Sequence, residues 1–224
     1  MPDAPASLNV LLMGFEPFEN DPINPAWEIA CTLDGWQHAG ATVRGMQLPC
    51  VFGESSKVLD EALARWQPTL VICLGLAGGR TEMSLERVAI NIDDARIRDH
   101  AGCQPVDTPV VAGAPAAYFS TLPIKAIVRD LRAAGLPGGV SNTAGTFVCN
   151  HIFYALMHRL AQQPAGPASV RGGFIHVPYL PEQAARHPGA ASMALETQAQ
   201  ALRVSISTAL AIREDIRQTA GKLH

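Results

Sequence analysis

Two short stretches made almost wholly of apolar residues, LNVLLM (8–13) and LVICLG (70–75), restrict the folds open to this chain more than anything else in it. Neither alternates apolar with polar residues, so a strand formed there must be covered on both faces. Both are far too short to span a bilayer. Helical patterns lie between and after them. Asn24-Pro25 opens the first, with Asn24 as N-cap and Pro25 at the first helical position, and Trp27, Ile29, Ala30 and Leu33 supply its apolar side. Glu54–Trp66 is the next, with Val58, Leu59, Ala62, Leu63 and Trp66 together. Strands and helices alternating at this spacing imply βαβ units. The expectation is an α/β chain with an open, twisted, largely parallel sheet and helices on both faces. With 224 residues, 48% of them hydrophobic, a single domain over 1–224 is expected, residues 1–7 being a frayed end.

The rest of the chain fits this frame. Thr42–Leu48 reads as a further strand, ended by Pro49. SLERVAINIDDARI (84–97) alternates at Val88, Ile90 and Ile92 and reads as one half-buried strand, with Glu86 just before it. Residues 99–122, rich in Pro, Gly and small residues, read as a long surface excursion. Pro123–Ala134 reads as a helix, GGFIHVPYLP (172–181) as a short strand carrying His176 near its end, and 192–217 as a long amphipathic helix.

Composition removes several classes of function. A net charge of −3 gives no electrostatic footprint for nucleic acid or an anionic membrane. MPDAPASLNV has no positive segment followed by a long apolar one, so no signal peptide is expected. The cysteines at 31, 50, 73, 103 and 149 are odd in number and lack CxxC spacing, which argues against a disulfide framework and a zinc site and fits a reducing cytoplasm. The stretch GLAGGR (75–80) is too irregular for a dinucleotide or P-loop fingerprint and is a weak phosphate cradle.

Chemistry concentrates in VSNTAGTFVCNH (140–151). Ile152, Phe153, Leu156, Met157 and Leu160 continue it on one helical face, which puts Cys149 at a helix N-terminus. Unpaired N–H groups and the helix dipole there favour a thiolate and could hold an oxyanion. The alternative is a buried structural cysteine. Among the histidines, 38, 100, 158, 187 and 224 sit in polar or terminal contexts and read as solvent-exposed, and His151 would point away from Cys149. His176, on an apolar strand end, is either a satisfied core histidine or a functional one. Glu86 beside Arg87 is either half of a solvated ion pair or an acidic partner. Phe15 and Phe18, in the loop 14–25, either fold onto the core or line a pocket. A Cys, a His and a Glu in these settings suit nucleophilic catalysis, but spacing alone does not show that they meet.

GFEPFENDPINPAWE, GGRTEMSLERVAINIDDARI, VSNTAGTFVCNHIFYAL and GFIHVPYLPEQ, in this order and spacing, resemble the pyroglutamyl peptidase type I (pyrrolidone-carboxylate peptidase) family. The resemblance runs from about Asn9 to the C-terminal helix. It implies a sheet of the phosphorylase/hydrolase-like kind and a cysteine exopeptidase that removes N-terminal pyroglutamate from small peptides. It implies Cys149 as nucleophile, His176 as base and Glu86 as its acidic partner. Phe15 and Phe18 match aromatic wall positions, Ile97, Phe147 and Val148 match apolar positions near the lactam, and Arg96 lies near the reacting centre. It also implies a homo-oligomer, a dimer or tetramer, and no metal or organic cofactor. One departure is Leu76, where family members commonly carry Gln. Two alternatives remain: a catalytically silent binder of pyroglutamyl peptides, and a nucleoside-phosphorylase-like enzyme using Gly78-Gly79-Arg80 for phosphate.

Overall fold

The first apolar run becomes strand β1 (Leu8–Phe15), every residue from Val10 onward buried. This computed structural model describes residues 8–19, 21–164, 166 and 169–220; the expectations for 1–7 and His224 lie outside the described residues. Helix α1 (Pro25–Leu33) begins as its sequence dictates: Asn24 Oδ1 accepts from Ala26 N at 3.0 Å and Pro25 occupies the first turn. A short strand β2 (Gln37–His38), β3 (Ala41–Leu48), helix α2 (Glu54–Trp66) and β4 (Leu70–Leu76) follow. Next come β5 (Met83–Glu86), β6 (Val88–Ile90), β7 (Ala117–Phe119), helix α3 (Ile124–Ala133), β8 (Gly138–Ser141) and helix α4 (Val148–Ala161). The chain ends with β9 (Arg171–Val177), the short helix α5 (Pro181–Ala184) and α6 (Leu195–Ala211). Among the described residues no helix is long and apolar enough to cross a membrane.

The main sheet has the order β2-β3-β1-β4-β9-β5-β8. Strands β3, β1, β4 and β9 run parallel; β5 turns against β9, and β8 is parallel to β5. The fold is therefore α/β and largely parallel, with one internal reversal. That seam is short, pairing only Ser84 with His176 and Leu85 with Ile175. Helices α1, α3 and α6 cover one face, burying Val10, Leu12, Leu70, Ile72 and Ile175. Helices α2 and α4 cover the other, over Leu11, Met13, Val71, Cys73 and Phe174.

Three expectations are corrected. Residues 84–97 do not form one strand: β5 belongs to the main sheet, while β6 pairs antiparallel with β7 in a separate ribbon. The excursion 99–122 thus includes a strand, β7. The last helix stops at Ala211, six residues short of the expected end, because its continuation does other work. Asp215 accepts from Lys125 N and Ala126 N at 3.1 and 3.0 Å, capping α3, whose own N-cap residue Pro123 offers no side-chain bond. Arg171 meanwhile donates to Ala209 O and Ile212 O at the end of α6.

Candidate active site

Strand β9 carries His176 between two neighbours: Gly75 of β4 on one side and Ser84 of β5 on the other. Side chains alternate along a strand, so Glu86, two residues beyond Ser84, shares the face of His176 and lies diagonal to it. His176 Nδ1 donates to Glu86 Oε1 at 2.8 Å. Glu86 is fully buried and His176 nearly so. Glu86 therefore sits within the sheet rather than ahead of a strand, and its partner is His176 rather than a solvated Arg87. The bond fixes the imidazole tautomer, leaving Nε2 with its lone pair free to accept a proton.

Cys149 reaches the same place from above. It is the second residue of α4, whose N-cap position, Phe147, is extended and offers no side-chain bond. Among the described residues the N–H groups of Val148 and Cys149 find no acceptor. The Cys149 Sγ lies so close over β4 that a Cβ on Gly75 would stand 2.8 Å from it, and 2.8 Å from the Phe174 ring. Only glycine fits there. Because Gly75 is the sheet partner of His176, the thiol rests against the strand pair that carries the imidazole.

The two residues after Cys149 hold this helix start. Asn150 accepts from Ile90 N at 3.0 Å and donates to Ile90 O and Ile92 O at 2.9 Å each. His151 does point away from Cys149, but it is buried: Nδ1 bonds Asp93 Oδ2 at 2.8 Å, and Nε2 meets Gly53 N at 3.2 Å and Ser56 Oγ at 3.1 Å. Polar residues interrupting an otherwise apolar helix (VCNHIF) were the available signal for this network. Of the remaining described histidines, 38, 100 and 187 are exposed, while His158 is half-buried and bonds the Tyr118 hydroxyl at 2.9 Å.

Electrostatics reverse one expectation. Burial, then the negative charge of Glu86, push the Cys149 thiol up to about 12, and the Arg80 guanidinium opposes them without prevailing. A helix start favours a thiolate, but here the sheet beneath and the carboxylate behind outweigh it. Burial likewise lowers His176 from the ordinary imidazole value; the hydrogen bond and charge of Glu86 act against burial, and Arg80 reinforces it. Both directions favour the neutral thiol and the neutral imidazole.

Cys149 opens onto a cavity of about 350 Å³. Phe15, Phe18, Leu76, Arg96, Ile97, Phe147 and Val148 all line it, so every residue singled out for a pocket is found there, together with Cys50. Phe15 ends β1 rather than lying in the loop. The Phe18 and Phe147 rings pack at 5.5 Å, and Phe147 meets Phe52 edge-on at 5.3 Å. Arg96 is exposed and makes no hydrogen bond or ion pair among the described residues, leaving its guanidinium available at the cavity. Asp21, Tyr179 and His187 add polar groups to the lining. Among the described residues no group of three or more His, Cys, Asp or Glu side chains is placed to hold a metal ion.

Residues 8–212 match the profile of the family described as Pyroglutamyl peptidase. The chain is 63% identical over 215 residues to the pyrrolidone-carboxylate peptidase of Cupriavidus taiwanensis, an alignment covering 96% of this chain and 99% of that one. It is 57% identical over the same length to the pyrrolidone-carboxylate peptidase of Klebsiella pneumoniae, with the same coverage. Among solved structures, pyroglutamyl peptidase I from Bacillus amyloliquefaciens superposes with a TM-score of 0.90 at 45% identity, covering 95% of this chain and 100% of that one. A mutant pyrrolidone carboxyl peptidase from Pyrococcus furiosus gives 0.87 at 44%, covering 91% and 99%.

Proposed function

The chain belongs to the pyroglutamyl peptidase family, and from that membership we propose that it is a cysteine exopeptidase removing N-terminal pyroglutamate from peptides by acyl transfer to Cys149. One observation carries the assignment of roles: the Cys149 thiol lies over the strand pair that holds the His176–Glu86 couple, at the edge of an apolar cavity. A pyroglutamyl ring is a neutral lactam without a free amine. It suits a slot walled by Phe15, Phe18, Ile97, Phe147 and Val148 better than a pocket built for an ammonium.

The steps follow from the neutral resting pair. As Sγ attacks the pyroglutamyl carbonyl, its proton passes to His176 Nε2. Glu86 stabilises the imidazolium. The oxyanion is held by the free N–H groups of the α4 start, with Arg96 as the nearby cation. His176 then gives its proton to the leaving amine as the C–N bond breaks, producing a thioester. Water, deprotonated by His176, attacks this thioester to release pyroglutamate and restore the thiol. No metal or organic cofactor enters these steps.

The alternatives lose support on specific grounds. The Arg80 guanidinium is bonded to Glu86 and to Thr143 O, so it is not free to hold a phosphate as a phosphorylase would require. A silent binder would have no use for a complete Cys–His–Glu set. Five unpaired cysteines support a reducing compartment, the cytoplasm. The large exposed apolar side chains Val106 and Phe119 support assembly into a dimer or tetramer, which light scattering in solution would test.

The deciding experiment is release of a fluorescent amine from a pyroglutamyl amide by wild type and Cys149→Ala, with the fold of each checked by circular dichroism. Turnover in the wild type and a loss of at least about a thousandfold in the variant are expected. Undiminished turnover in the variant would remove Cys149 as nucleophile.

A further inference from the structure

Building on the triad reading above, we propose that Arg80 is a positioning residue, which keeps Glu86 aligned on His176 and straps it to the segment leading into Cys149. The Arg80 Nη1 donates to Glu86 Oε1 at 3.0 Å, the same oxygen that accepts from His176. The Nη2 donates to Thr143 O at 3.3 Å, four residues before Phe147 at the N-cap of α4. One planar guanidinium thus touches both the acid and the approach to the nucleophile.

Charge makes this contact necessary. Glu86 is fully buried and its Oε2 has no partner. Burying a carboxylate in this way is costly unless a cation compensates it. His176 is neutral at rest and becomes a cation only once it has accepted the thiol proton. Until then Arg80 is the standing countercharge, the only Lys or Arg bridged to Glu86 among the described residues.

The backbone is shaped to deliver the guanidinium. Gly79 has φ +82°, in the left-handed region that glycine tolerates. A Cβ on Gly78 would stand 2.4 Å from the Tyr179 hydroxyl oxygen, so that ring packs directly on the turn. The Arg80 N–H closes the turn on Ala77 O at 3.3 Å. The irregular glycine cluster is therefore accounted for without a phosphate.

Among the described residues, Glu86 from β5 bonds the imidazole, Arg80 from the β4–β5 turn acts on it through its charge, and Cys149 from α4 lies over its sheet partner Gly75. Removing the Arg80 charge favours imidazolium, which moves the acid limb of the pH–rate profile to higher pH.

The test compares Arg80→Gln and Arg80→Lys with wild type and Cys149→Ala, following kcat, KM, pH profile and thermal unfolding on a pyroglutamyl amide. Arg80→Gln is expected to lose at least about tenfold in kcat with little change in KM, and to raise the acid limb by about one pH unit. Arg80→Lys restores the acid limb but only part of kcat, since an ammonium does not span Glu86 and Thr143 O together. An acid limb left in place in folded Arg80→Gln overturns the proposal, whether kcat is unchanged or falls only in step with thermal stability. If Arg80→Gln does not fold, wild-type kcat in Arg80→Lys overturns it instead. Activity in Cys149→Ala would sink the triad reading itself, whatever the Arg80 variants do.

Discussion

Burial against the sheet and the Glu86 carboxylate both raise the Cys149 thiol, so in the proposed mechanism the neutral imidazole of His176 acts as base during attack. This gives two signatures in pH. The acid limb of kcat/KM reports protonation of His176, whose value burial lowers, so its midpoint is expected below the 6.5 of an ordinary imidazole. Alkylation of Cys149 by iodoacetamide should keep accelerating as pH rises past 9, with no plateau near neutrality. A preformed thiolate–imidazolium pair would instead show that plateau and would refute the neutral-pair mechanism. The measurement must follow the peptide containing Cys149 by mass spectrometry, because Cys31 and Cys103 are exposed and react independently.

Helix α4 shows how an element can be held at its start without a side-chain cap. Asn150 ties it to Ile90 and Ile92, and His151 ties it to Asp93 and to the Gly53–Ser56 start of α2. His151→Leu would leave the buried Asp93 carboxylate without that partner. A loss of about 2–3 kcal/mol is expected by urea denaturation, whereas a change within the error of the fit would show that the network carries little. These elements also mark what could be read in the sequence. The apolar runs of β1 and β4, the Asn24-Pro25 start of α1 and both ends of α2 declare themselves locally. Strand β8, Gly138-Gly139-Val140-Ser141, has almost no apolar pattern, and Arg87 divides β5 from β6 without any breaker residue. The types of the three catalytic candidates were legible too. Their meeting was not, since the Glu86–His176 contact depends on a reversed strand that no local pattern announces; resemblance alone joined them. Arg80 was hidden because its role depends on a turn and on a distant carboxylate.

Across the whole molecule, the sheet divides into a parallel block, β3-β1-β4-β9, and a reversed pair, β5-β8. Cys149 and His176 rest on the first block and Glu86 on the second, the backbone ladder between them having just the Ser84–His176 and Leu85–Ile175 pairings and the Glu86–His176 bond crossing beside it. Short pairings open at lower cost than the global transition. Warming should therefore separate Glu86 from His176 while both helical layers are still in place. Activity is expected to decay at temperatures below the midpoint seen by circular dichroism, with the Ser84 and Leu85 amides exchanging hydrogen ahead of those in β1 and β4. Coincident loss of activity and fold would show the seam to be as firm as the rest. In an enzyme built this way heat tolerance is set by its weakest joint, and stabilising the large cores on either side would leave the working lifetime where it was.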